Sequence, residues 1–377
     1  MTAADKLPGR LIVLTAGGTG GHVFPAEAVA AELIARGHRL ALVTDRRGQA
    51  YGGALGQVTT YRISAGGIAG RGIGAGLRGV TELGWGFLQA RRLLRRLRPA
   101  AVLGFGGYAS LPAMLAASTA GIRTALHEQN AVLGRANRLL APRVTRIATS
   151  FATVAHLSPS WRKKVVQTGM PVRAPIIALR ERGYPDLSGE APLRLLILGG
   201  SQGARVLSEI VPTALACLPA NLRTRLEVSQ QCRSEDLESV RQAYAETGIR
   251  VTLDSFFQDV PDRLAAAHLV ISRAGASTVA ELTALGRPAI LVPYPHAIDD
   301  HQTANAHAVD EAGGGWLIPQ TAFTAESLAR RLQSLFTLPD SLSKAAACAR
   351  TAGTPDAAAR LAELVVGMVA DNSGVQS

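Results

Sequence analysis

The sequence predicts an α/β protein made of two doubly wound halves, and three observations carry that prediction. Arg10–Ala16 is a continuous apolar run rich in branched residues that leads into Gly17-Gly18-Thr19-Gly20-Gly21-His22. The pattern restarts at Leu193–Leu198, which leads into Gly199-Gly200-Ser201-Gln202-Gly203-Ala204. Side by side, LIVLTAGGTGGHVFPAEAVAAEL and LRLLILGGSQGARVLSEIVPTAL share one architecture of strand, glycine loop and helix. Runs that are apolar throughout belong to strands covered on both faces, as in parallel sheets. The length of 377 residues fits two domains, or three.

The elements follow in order. Pro25–Arg36 carries Ala, Leu and Ile at helical spacing, Gly37 stops it, and Arg39–Thr44 is the next strand. Ala101–Gly104 reads as a strand, Leu111–Ala120 as a helix, and Thr124–His127 and Ile147–Thr149 as strands. Leu179–Pro192 mixes Arg, Glu, Gly, Pro and Asp without periodicity, which is a linker signal. In the second half a helix runs through Leu218, with strands near Arg225–Val228, Val251–Leu253, Val270–Ser272 and Ala289–Val292. Leu338–Ala349 and Ala357–Met368 have helical apolar spacing, and the last few residues are polar. Two facing α/β domains would set the carboxyl ends of their strands around one cleft.

Composition narrows the function. Hydrophobic residues make up 47% and charged residues 18%, enough for a real core and too apolar for a disordered chain. The net charge of +12 favours an anionic partner: nucleic acid, an acidic membrane surface or a phosphorylated substrate. Cys217, Cys232 and Cys348 are scattered, so neither a disulfide framework nor a metal-binding spacing is expected. The uncharged stretch Ala100–Ile122 raises the question of a membrane span. Gly104, Gly106, Gly107 and Pro112 interrupt it, and it reads as a buried strand, a glycine turn and a helix. Any membrane association is therefore expected to be peripheral.

Several loops carry chemistry. Gly17–His22 opens a helix, where free N–H groups favour negative charge. The dinucleotide fingerprint GxGxxG fails, because its third glycine position holds Val23. Asp45 stands where a ribose-binding acid would, which keeps a nicotinamide enzyme as a rival, although Arg46 and Arg47 beside it also fit a surface salt bridge. His22 lies on the glycine loop and is the first candidate for proton transfer, against a role in ordering the loop. Ser201 can donate to a phosphate. Thr278-x-x-Glu281 fits either a helix capping box or a diphosphate and ribose site. Gln302 and Asn305 share one face of a helix start, and His127-Glu128-Gln129-Asn130 follows a strand. Adjacent Asp299 and Asp300 make a poor metal clamp. Arg62–Arg98 holds eight arginines and one acid, Glu82, interleaved with Leu77, Val80, Leu83, Trp85, Phe87 and Leu88. That is the pattern of a surface for anionic lipid, or of a solvated helix with an apolar core face. With few aromatics and no nucleic-acid motif, nucleic acid is not expected.

Taken together, GGTGGHVFPA, GFGGYAS, HEQNAVLGRANR, GMPVR, GGSQGAR, SRAGASTVAEL and HQTANA resemble the MurG-type N-acetylglucosaminyltransferases of peptidoglycan synthesis. The resemblance runs from about residue 10 to the C-terminal helices. It implies the GT-B architecture of two Rossmann-like domains facing across a cleft. It implies an acceptor and membrane-facing domain over 1–178 and a UDP-sugar domain over 179–354, with a helix at about 355–371 packed back on the first. It implies inverting transfer from UDP-N-acetylglucosamine to undecaprenyl-pyrophosphoryl-N-acetylmuramyl-pentapeptide at the cytoplasmic face of the cell membrane, in cell wall biogenesis. Donor contacts would come from Thr19, Gly20, Gly21, Asn130, Arg173, Ser201, Phe257, Ala276, Ser277, Thr278, Val279, Ala280, Glu281 and Gln302. His22 would be the base, Glu281 would hold the ribose, and Phe257 would offer its backbone to uracil. Leu77, Trp85, Phe87, Arg91, Arg92, Arg95 and Arg96 would face anionic phospholipid. No cofactor and no metal are expected. The chain departs from the pattern at Met170, where relatives often have Asn, and by one residue of spacing around His296–Gln302. Other UDP-sugar enzymes of this architecture, including an epimerase or a glycolipid transferase, are the nearer rivals.

Overall fold

The computed structural model describes residues 9–17, 20–45, 52–65, 73–187, 191–200 and 203–370, without the side chains of 73–78, 80 and 339. Two compact units emerge, Met1–Arg173 with Pro355–Ser377, and Ala174–Thr354.

In the first unit the strands are β1 (Leu11–Thr15), β2 (Arg39–Thr44), β3 (Thr59–Arg62), β4 (Ala101–Gly104), β5 (Arg123–Glu128), β6 (Arg146–Thr149) and β7 (Val165–Gln167). They form a parallel sheet in the order β3-β2-β1-β4-β5-β6-β7. Its helices are α1 (Gly20–Ala35), α2 (Gly53–Gly56), α3 (Ile73–Leu97), α4 (Gly107–Thr119) and α5 (Arg135–Leu140). Alternation along β1 divides the core into two layers. Ile12 and Leu14 pack with Val29 and Leu33 of α1, and Val13 packs with Leu94 of α3 and Met114 of α4.

In the second unit α6 (Ala174–Ile177) comes first. It is followed by β8 (Leu193–Leu198), α7 (Arg205–Ala216), α8 (Ala220–Arg223), β9 (Leu226–Gln231), α9 (Leu237–Ala245), β10 (Arg250–Asp254), α10 (Val260–Ala266) and β11 (Leu269–Ser272). Next are α11 (Ala276–Leu285), β12 (Ala289–Leu291), α12 (His301–Glu311), β13 (Gly315–Leu317), α13 (Ala325–Thr337) and α14 (Pro339–Ala352). The sheet order is β10-β9-β8-β11-β12-β13. Finally α15 (Ala357–Ala370) returns to the first unit, where Leu361, Val365 and Val369 complete the α1 layer.

Strand order reverses between β1 and β4 in one sheet and between β8 and β11 in the other. At such points the loops leave toward opposite faces and open a crevice at the carboxyl ends of the strands. Both glycine loops, after β1 and after β8, sit there.

The structure departs from the sequence expectation in several places. Helix α1 starts at Gly20, five residues before Pro25, so His22 lies in the first turn rather than on a free loop. Pro25, the sixth helical residue, has no N–H to give the Gly21 carbonyl, so one helical bond is forgone there. Strands β3, β7 and β13 have no long apolar run, and β3 and β7 are exposed edges. The stretch 179–187, which reads as linker, is anchored. Arg180 donates to the Ala284 and Arg350 carbonyls, and the Tyr184 hydroxyl donates to the His268 carbonyl at 2.7 Å. Buried Arg287 donates to carbonyls of Gly183, Leu264, Ala265 and Leu285, which ties the segment to α10 and α11. The second unit therefore begins at Ala174, ahead of the expected 179, because α6 packs on α10 and α11.

Candidate active site

In the first unit, three strand ends converge. Gly17 follows β1 so closely against α4 that a Cβ there would run into the Ala109 side chain. His22 stands in the first turn of α1, beside Gly106 and Gly107, which follow β4 with φ of +82° and +73°. A Cβ on Gly107 would lie 3.4 Å from His22 Nε2. Burial holds the His22 pKa below its ordinary value, opposed by the Phe105 carbonyl and the Gln129 side chain. The imidazole is therefore neutral at neutral pH.

The end of β5 supplies His127, Glu128, Gln129 and Asn130. His127 is fully buried, its Nε2 lies 3.0 Å from the Gly169 carbonyl, and desolvation pulls its pKa to about 4. Glu128 is buried as well, and its carboxylate accepts from Asn130 N at 3.0 Å, Gly134 N at 2.8 Å and Asn137 Nδ2 at 2.8 Å. Burial raises its pKa and these donors oppose the rise. One carboxylate thus shapes the loop that presents half-buried Asn130. Arg173 lies over the Phe24 ring at 4.6 Å and faces Glu27 of the same helix.

In the second unit, Gly199 and Gly200 follow β8. A Cβ on Gly199 would come 2.6 Å from Ala204 N, and Gly200 and Gly203 hold φ of +78° and +68°. After β11, helix α11 starts at Ala276 with Gly275 as its N-cap and no side-chain cap. The Val279 N–H bonds the Gly275 carbonyl at 3.0 Å, so those of Ala276, Ser277 and Thr278 have no i−4 partner in the helix. They make a positive helix end suited to phosphate. Thr278 is the third helical residue and Glu281 the sixth, so a capping box between them is excluded. Glu281 is half-buried on the second turn.

Gln302 does more locally than its expected donor contact. Its Oε1 accepts from Ala274 N at 3.2 Å and Tyr294 N at 3.0 Å, while Asn305 Nδ2, one turn on, donates to the Ala274 carbonyl at 3.0 Å. Both peptide groups flanking Ala274 are thereby held, and with them the entry to α11. Arg273, unnoticed in the sequence, donates to the Val292 and Pro293 carbonyls and to Gln320, fixing the neighbouring loop. Phe257 is buried, with the Arg263 guanidinium 4.1 Å from its ring centre, so its side chain is structural.

Thr19 and Ser201 lie outside the described residues, as does the side chain of Leu77. On α3, Trp85 and Leu88 are 54% and 47% exposed, and Arg91, Arg92, Arg95 and Arg96 are exposed too. Phe87 is a correction: with Leu83, Ala90 and Leu94 it packs on the core. Positions 85, 88, 92 and 95 share the opposite helix face. Asp45, directly after β2, is buried. Among the described residues no helix is long and apolar enough to cross a membrane, and no group of His, Cys, Asp or Glu is placed to hold a metal ion.

Each of the two doubly wound units carries its glycine loop at the switch point of its sheet, where open α/β sheets bind nucleotide ligands. Residues 12–149 match the glycosyltransferase family 28 N-terminal domain, and 194–361 match the family 28 C-terminal domain. A curated protein of Paramagnetospirillum magneticum is 67% identical over 97% of this chain and 98% of its own length; one of Rhodospirillum rubrum is 62% identical over 94% and 91%. Both are named UDP-N-acetylglucosamine–N-acetylmuramyl-(pentapeptide) pyrophosphoryl-undecaprenol N-acetylglucosamine transferase. The crystal structure of Acinetobacter baumannii MurG is 31% identical, with a TM-score of 0.77 over 95% of this chain and 99% of its own. The chain belongs to the MurG family of glycosyltransferases.

Proposed function

We propose that the chain transfers N-acetylglucosamine from UDP-N-acetylglucosamine to the C4 hydroxyl of the muramyl sugar in undecaprenyl-pyrophosphoryl-N-acetylmuramyl-pentapeptide. The observation that carries this reading is 67% identity across 97% of the chain to a protein named for that reaction. The neutral His22 removes the hydroxyl proton as the oxygen attacks the anomeric carbon and the bond to the diphosphate breaks. Charge developing on departing UDP falls to the N–H groups that open α11. Glu281 holds the ribose diol, and Arg173 and Asn130 are further donor contacts. The exposed face of α3 rests on anionic phospholipid, where the acceptor's lipid tail resides.

An acceptor assay tests the activity: UDP release with the undecaprenyl-linked muramyl-pentapeptide against UDP-N-acetylglucosamine alone. Release without acceptor, accompanied by a C2-epimerised sugar, would move the chain to the epimerase class. His22→Ala should lower kcat by about 10²–10⁴, the usual worth of a positioned base, with donor affinity nearly unchanged. Parallel loss of donor binding would instead make His22 a phosphate or loop contact.

A further inference from the structure

We propose that Arg263 is a positioning residue for nucleobase recognition: from α10 it pins the loop 255–259, so that the backbone of Phe257 meets the base of the donor in one fixed orientation. The inference rests on the reading that Phe257 offers its backbone to uracil.

The loop 255–259 joins β10 to α10 at the carboxyl end of its strand, where open α/β sheets meet their ligands. Both of its ends are tied. Gln231 Nε2 donates to the Ser255 carbonyl at 3.1 Å, and the Phe256 N–H donates to Asp254 Oδ1 at 3.2 Å. At the other end the Asp259 carbonyl accepts from Arg263 N at 3.1 Å. The middle differs. Among the described residues, neither the N–H nor the carbonyl of Phe257 has a hydrogen-bond partner, although the residue is only 4% exposed. Buried backbone groups left unpaired are costly, and a ligand carrying the complementary pair would satisfy them. Uracil carries such a pair, a ring N–H beside a carbonyl oxygen.

What holds this backbone is the side chain beneath it. The Arg263 guanidinium lies 4.1 Å from the centre of the Phe257 ring. It also donates through Nε to Asp259 Oδ1 at 2.8 Å and through Nη1 to Ser229 Oγ at 2.7 Å. Ser229 belongs to β9, which is paired on both sides, so the loop is referenced to the sheet and not to its two ends alone. Asp259 makes no side-chain cap for α10, and its carboxylate turns to Arg263 instead. A surface ion pair would be worth little, but the Arg263 side chain is only 25% exposed and is held from three sides. Arginine suits the place because its planar group donates in its plane while its face covers a ring. The loop's fixity bears on selectivity. Cytosine has an amino donor where uracil has the carbonyl oxygen. A fixed backbone N–H rejects that donor, because both groups would stay unpaired. A loop free to turn would accept either base.

Calorimetric titration of the full chain with UDP and with CDP tests this. Wild-type protein should bind UDP more tightly than CDP. Arg263→Ala should raise the Kd for UDP by about tenfold, the scale of a lost charged hydrogen bond, and the Kd for CDP much less. In the transfer assay, KM for UDP-N-acetylglucosamine should rise while kcat changes little, as expected when ground-state binding is what is lost. Arg263→Lys, which keeps the charge but not the planar fork, should fall between. Arg263→Ala that keeps the full preference for UDP overturns the proposal, and so does equal weakening of UDP and CDP, which would mark a purely structural role. If Arg263→Ala does not fold, Ser229→Ala, which removes only the Nη1 acceptor, should narrow the preference by a smaller factor, and an unchanged preference there overturns the proposal as well. Wild-type protein that binds UDP and CDP alike would defeat the uracil reading itself, and the proposal with it.

Discussion

At the scale of single residues, chemistry depends on what surrounds each side chain. Glu281 is half-buried on the second turn of α11, away from the helix start, so removing it leaves the helix cap intact. Glu281→Ala should weaken UDP binding by about 1–3 kcal/mol, the scale of a lost charged hydrogen bond. Calorimetric titration with UDP checks it, and normal affinity with an early melt would give Glu281 a structural role. His127 offers a pH prediction. Its pKa is about 4 in the fold, below the ordinary 6.5, so protons bind the unfolded chain better. Its contribution is complete above pH 6.5 and is lost as pH falls toward 4. Between pH 7 and pH 5 that amounts to about 2 kcal/mol. His127→Gln keeps a hydrogen-bonding amide but cannot charge. It should flatten the fall in melting temperature over that interval, and an unchanged slope would place the acid sensitivity elsewhere.

At the scale of elements, α3 is the clearest separation of faces. Leu83, Phe87, Ala90 and Leu94 pack inward, while Trp85, Leu88 and the four arginines are exposed, Arg96 lying over the Tyr61 ring. An aromatic and an aliphatic group among arginines suit the boundary between headgroups and acyl chains. Replacing Arg91, Arg92, Arg95 and Arg96 by Gln should weaken binding to phosphatidylglycerol vesicles by about 1 kcal/mol per residue. Turnover of a soluble acceptor analogue should survive. Vesicle binding that resists both the substitutions and added salt would remove α3 from the membrane face. The loop after β5 is the other instructive element, since one buried carboxylate, Glu128, gathers the N–H groups that shape it.

At the scale of the molecule, the chain's last helix belongs to its first unit. Leu361, Val365, Val366, Met368 and Val369 fill the layer over α1, and Arg10 and Arg36 donate to carbonyls of α15. Burying each such side chain is worth about 1.5–3 kcal/mol, so five approach the whole stability of a domain, about 5–15 kcal/mol. A chain ending at Thr354 should therefore lose protease resistance in the first unit while the second unit still binds UDP. Fragment mapping after limited proteolysis reads both, and a resistant first unit would mean that its core closes without α15.

The sequence by itself determined the repeated strand–glycine–helix plan, both switch-point loops, the family and the basic face of α3. Those features are local: strands covered on both faces are apolar throughout, and glycines are needed where backbone meets backbone or ligand. The edge strands β3 and β7 lacked that signal because one side of each has no neighbouring strand. Only the tertiary structure decided what Gln302 and Asn305 hold and where Gln129 donates. It ruled out the capping box by starting α11 at Ala276, and it joined Gln302 and Asn305 to Ala274 across about thirty residues. It also set His22, in the first turn of α1, beside Gly106 and Gly107 after β4. Such contacts depend on how strands are ordered in the sheet, and no spacing along the chain encodes that order.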